Sequence, residues 1–80
     1  MRVAEPVAET TAQAVGHRVK AEMDRQSIRQ TAVAKRLKKS QQAVSRRING
    51  VIPFDVEELE IVARLLGVPV SSFVADEVAA

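Results

Sequence analysis

The apolar positions of this 80-residue chain recur at helical spacings, and no stretch shows the strict alternation of a strand. Ala12, Val15, Val19 and Met23 stand three or four apart, which at about 100° per residue lines them along one face of a first helix over residues 11–26. Thr10, followed three residues on by Gln13, reads as a capping box at its start. Ile28 leads into a second helix, residues 30–38, whose inward positions are Val33, Ala34 and Leu37. Val44 and Ile48 mark a third, residues 41–49, with Ser40 as its N-cap and Gly50 as its left-handed close. Val56, Leu59, Val62, Ala63 and Leu66 face inwards from a fourth, residues 56–66, opened by a capping signature at Asp55 and Glu58 and stopped by Gly67. Pro69 then breaks the chain before a short fifth helix, residues 70–74.

These patterns predict an all-α fold: one compact five-helix domain over residues 10–75, with residues 1–9 a flexible arm and residues 76–80 frayed. The core must be thin, because the apolar residues are largely Ala and Val and the only aromatics are Phe54 and Phe73. Gly16 inside the first helix costs about 1 kcal/mol relative to Ala, which predicts that another helix crosses closely there.

The second and third helices are separated only by Lys38, Lys39 and Ser40. Two helices joined by such a turn make a helix-turn-helix, whose second helix can lie in the major groove of DNA. Charge sharpens that reading. The formal net charge is only +2, yet residues 15–50 hold ten Lys and Arg against Glu22 and Asp24, and residues 51–80 hold Arg64 against six acids. A basic segment on a small domain draws a polyanion through its field and through counterion release.

The same composition argues against other classes. With no Cys and a single histidine, His17, there is neither a disulfide framework nor a metal site, and His17 reads as a surface residue. No glycine-rich phosphate loop or clustered carboxylates suggest an enzyme, and no cofactor or small-molecule ligand is expected. Stacking aromatics for single-stranded nucleic acid are missing. No apolar run approaches the ~20 residues of a membrane span and the first nine residues do not form a signal peptide, so a cytoplasmic protein is expected.

On a helical wheel, Gln41, Gln42, Ser45, Arg46 and Asn49 share an arc of about 140°, with Val44 and Ile48 outside it. Gln can pair with adenine N6 and N7, Arg with guanine O6 and N7, and Ser with several base edges. Gln41, Gln42, Ser45 and Arg46 are therefore the candidates for base contact. Gln30, at the start of the second helix, can join free backbone amides in holding a phosphate, and Lys38, Lys39, Ser40, Arg47 and Asn49 are further phosphate candidates. Each also has a plainer reading: Gln41 and Gln42 as exposed helix formers, Ser40 as a cap, Arg46 as part of a solvated face. Lys35 and Arg36 are weaker candidates, pointing elsewhere.

Several stretches together resemble the lambda-repressor and Cro-like helix-turn-helix proteins, the XRE family: Val15-Gly16-x-Arg18-Val19-Lys20, Ile28-x-Gln30, Ala34-x-x-Leu37, Ser40-Gln41-Gln42-Ala43-Val44-Ser45-Arg46, Asn49-Gly50 and Leu59-x-x-Val62-Ala63-x-x-Leu66-Gly67-Val68. The resemblance covers about Val15 to Val74. It implies a five-helix domain bound to operator DNA and a small repressor or Cro-like regulator of the phage or prophage type. It puts Gln41, Gln42, Ser45 and Arg46 at base-contacting positions and Gln30 at a phosphate-contacting one. The chain departs from the family at Lys38 and Lys39, where Gly and an apolar residue are usual, at Arg47, commonly apolar, and at Ser27, often Gly. For Arg47 the expectation is a stem packed along the domain and a guanidinium on a carboxylate of the fourth helix or on a phosphate.

The leading expectation is thus a sequence-specific regulator of double-stranded DNA. The alternatives are a protein-interaction module on the same fold, such as an antitoxin or antirepressor, or an accessory factor for recombination. If the protein pairs with itself, Val70, Phe73 and Val74 are the candidate dimer surface.

Overall fold

The computed structural model describes residues 11–74. The arm, the tail and Thr10 of the first capping box lie outside the described residues. The elements are α1 (Thr11–Gln26), α2 (Gln30–Leu37), α3 (Gln41–Ile48) and α4 (Val56–Leu66), followed by a 3-10 turn at Val70–Ser72. The fold is all-helical, but the expected fifth helix is only this turn. Pro69 sets the direction in which the chain arrives, and Phe73 is drawn into the core. The residues between them close with i→i+3 bonds, the amides of Ser72 and Phe73 donating to the carbonyls of Pro69 and Val70 at 2.9 Å.

α1 packs on α3 and α4, and α2 packs on the same two helices. Between them lie Val19, Val33, Val44, Ile48, Val62 and Phe73, all essentially without solvent exposure, with Val15, Met23, Leu37, Leu59 and Leu66 around them. Burial of each such side chain is worth about 1.5–3 kcal/mol, so a core built largely of valine suffices for a domain this small. Val56, expected to face inwards, is instead 73% exposed. It is the first residue of α4, and although its spacing to Leu59 and Ala63 is helical, no preceding turn carries the core out to it. Phe54 takes the buried place just before the Asp55 cap, and it and Leu59 occupy the two positions of a hydrophobic staple.

The four described α-helices end the same way. A residue just past the end of each takes a positive φ: Ser27 (58°), Lys38 (59°), Gly50 (78°) and Gly67 (71°). At each, the next amide reaches back along the chain, from Ile28 to Met23, Lys39 to Ala34, Val51 to Arg46 and Val68 to Ala63, at 2.8–3.0 Å. This is the Schellman closure. It keeps the connection between α2 and α3 to three residues, Lys38 to Ser40, while the two helices pack on each other.

Gly16 has the close neighbour its sequence context predicts. A Cβ built there would collide with the backbone carbonyl of Ile48, so α1 and α3 cross backbone to backbone. At the far end of α1, Gln26 Nε2 donates to the Leu66 carbonyl at 2.7 Å and to Glu22 at 2.6 Å. Arg25 and Gln26 together hold the Glu22 carboxyl below its ordinary range. Among the described residues no helix is long and apolar enough to cross a membrane.

Candidate nucleic-acid interface

α3 is anchored by Val44 and Ile48, both buried, and this turns the opposite side outwards. Gln41, Gln42, Arg46 and Asn49 are exposed and Ser45 is half-buried, so the residues expected on one polar arc do share an outward face. Asn49 Nδ2 lies 3.4 Å from Ser45 Oγ, linking two of them along the helix. Neither α2 nor α3 has an acid in its first turn. The face offers amides, a hydroxyl and a guanidinium, the groups that can pair with base edges.

The helix starts on either side of the turn differ from an ordinary pair. Ser40 caps α3, its Oγ accepting from the Ala43 amide at 3.1 Å. Arg29 precedes α2 with extended backbone; its carbonyl takes the amides of Ala32 and Val33, but its side chain caps neither of the first two amides, those of Gln30 and Thr31. Gln30, half-buried at the first position of α2, and Gln41, at the first position of α3, line one open depression of about 510 Å³ with Ser27, Arg29, Thr31 and the Lys20–Asp24 ion pair. Lys35 and Arg36 border a second depression, with Ala32 and Leu65, that adjoins the first at Thr31 and does not include Gln41.

The turn itself is cationic. Lys38 is exposed and holds the left-handed position that ends α2. Lys39, exposed, and Arg47, half-buried, both phosphate candidates, are each paired with a carboxylate of the fold. Arg47 Nε donates to Glu58 Oε1 at 3.1 Å and its Nη1 to the Ala43 carbonyl at 2.9 Å, while Lys39 Nζ sits 3.5 Å from Glu58 Oε2. The expectation that Arg47 meets a carboxylate of the fourth helix is met, and the carboxylate is Glu58. The pairing of Lys39 with the same group goes beyond what the sequence predicts. Its one signal there is a charged residue at the place after a helix stop where an apolar contact is usual.

Glu58 is only 7% exposed, the buried charged residue among those described. Its Oε1 also accepts the Asp55 amide at 3.0 Å, and its own amide donates to Asp55 Oδ1 at 2.7 Å, completing the capping box that the sequence predicts. One carboxylate therefore joins the turn, α3 and the start of α4. Of the candidate dimer residues, Phe73 is fully buried and is a core residue; Val70 is half-buried against the core, and only Val74 is exposed. His17 is exposed on α1, and among the described residues no group of His, Cys, Asp and Glu is placed to hold a metal.

Against this geometry, the family model described as helix-turn-helix matches residues 19–73, most of the chain and both helices of the interface. The chain belongs to the XRE-type helix-turn-helix family. It is, accordingly, a DNA-binding regulator of the XRE type. No curated protein and no solved structure matches it. For an XRE-type domain its two unusual stops are informative: Ser27 and Lys38, where glycine is common in the family, adopt the left-handed conformation all the same.

Proposed function

We propose that this XRE-type protein is a sequence-specific repressor or Cro-like regulator that inserts α3 into the major groove of an operator and occludes a promoter. The observation that carries the reading is the outward face of α3: Gln41, Gln42 and Arg46 exposed with Ser45 beside them, on a helix without acids whose other side is locked into the core. Gln41, Gln42, Ser45 and Arg46 make the base contacts. Gln30 with the open first turn of α2, Lys38 and the backbone and side chains at Ser40 and Asn49 hold phosphates, which fix register without reading sequence.

Two copies on a palindrome would place their α3 helices about 34 Å apart along one face of the duplex. Val74 is the exposed apolar residue of the candidate dimer surface. Selection of bound sequences from a random duplex pool tests both points. A single enriched motif, palindromic with half-sites one helical turn apart, is the expected result; recovery of unenriched sequence would refute sequence-specific regulation.

A further inference from the structure

We infer that Glu58 is a specificity-determining residue: it holds Lys39 and Arg47 off the phosphate backbone and fixes the setting of α3, so that binding depends on base contacts rather than on charge. The inference rests on the DNA-binding reading above. Two of the cations beside the recognition face pair with this one carboxylate: Arg47, its side chain 15% exposed, through a hydrogen bond at 3.1 Å, and Lys39, its side chain 34% exposed, as an ion pair at 3.5 Å. Lys39 stands next to the α3 cap, and Arg47 follows Arg46 by one residue, about 100° round the helix. The carboxylate is itself fixed by the Asp55 amide, so it cannot swing out to follow a cation towards solvent.

The physical consequence follows from what each contact reads. A cation on phosphate strengthens binding to every sequence alike and steepens the dependence on salt. An unpaired Lys39 and Arg47 would add such contacts in any register, and Arg47 would cease to tie α3 to α4. By keeping both paired, Glu58 lowers the affinity for random duplex and preserves the advantage of the operator. A purely structural role would have a different signature, since a loosened domain binds all DNA more weakly.

The test measures binding of wild-type protein and Glu58→Gln to a random duplex and to a duplex enriched by the wild type, over a series of salt concentrations. Gln retains an oxygen for the Asp55 amide but gives up the charge. The expected result for Glu58→Gln is tighter binding to random duplex, a salt slope steeper by roughly one to two units at about 0.9 per cation, and a narrower ratio between the two duplexes. Weaker binding to both duplexes, or an unchanged slope, would overturn the inference while leaving DNA binding intact; a wild type that binds neither duplex would overturn both. Two exposed variants give a second reading that does not depend on how Glu58→Gln folds. Lys38→Met should flatten the wild-type slope by about 0.9 and Lys39→Met by much less, and equal losses would overturn the assignment.

Discussion

α3 begins at Ser40, an uncharged hydroxyl that satisfies one amide, and no acid follows in its first turn. α4 begins at Asp55 and Glu58, two carboxylates in a reciprocal capping box, with Glu57 between them. Each of these helix starts is well capped, so local stability is not what separates them. The difference lies in what is left of the helix dipole. At α4 it is neutralised within the fold. At α3, and more so at the uncapped start of α2, the positive end remains available to an anion from outside. How a helix begins thus separates a dipole already neutralised inside the molecule from one left open to an outside anion.

Breaking the neutralised start of α4 should have the largest effect. Glu58→Ala removes a buried carboxylate and leaves Arg47, whose side chain is only 15% exposed, without its partner; a loss of about 3 kcal/mol in unfolding free energy, read by urea denaturation, is expected. Next come the outward residues of α3. Gln42→Ala or Arg46→Ala should cost ~1–3 kcal/mol of discrimination at particular base pairs, seen in footprints on variant operators, with little change in stability. An exchange of cap chemistry sharpens the contrast. Ser40→Asp keeps a good N-cap and so the same melting behaviour, but its anion beside the phosphates should weaken DNA binding by about 1 kcal/mol, whereas Asp55→Ala should cost about 1 kcal/mol of stability.

The smallest effect is expected at the helix stops. Ser27→Gly should raise stability by up to about 1 kcal/mol, because a side chain there is held at a positive φ. Lys38→Gly should give a similar gain together with a flatter salt dependence of DNA binding, since it removes a cation as well as the strain. A thermal melt and a salt titration of the two variants separate these contributions.

The sequence was most readable where a single periodicity or a local motif decides the outcome. Val19, Met23, Val33, Leu37, Val44 and Ile48 are buried as their spacing predicts, and the Asp55–Glu58 box forms because it needs only neighbouring residues. It failed where long-range packing intervenes. Val56 has the right composition and spacing for the core but stands at the first position of its helix, and Phe54 from the loop takes the buried place instead. Residues 70–74 look like a helix start after Pro69, yet burying Phe73 curls them into a turn. The candidate interface divides in the same way. The outward face of α3 follows from the wheel, but the capture of Lys39 and Arg47 by Glu58 depends on how three elements converge, and spacing carries no record of that.

The crossing at Gly16 has one further implication. Because α1 and α3 meet main chain to main chain, the position of α3 does not rest on any of its outward side chains. Residues 41, 42, 45 and 46 can therefore be exchanged to change what the helix recognises while its mounting stays as it is. Enlarging residue 16 would do the reverse, displacing the whole reading head with every one of its letters unchanged.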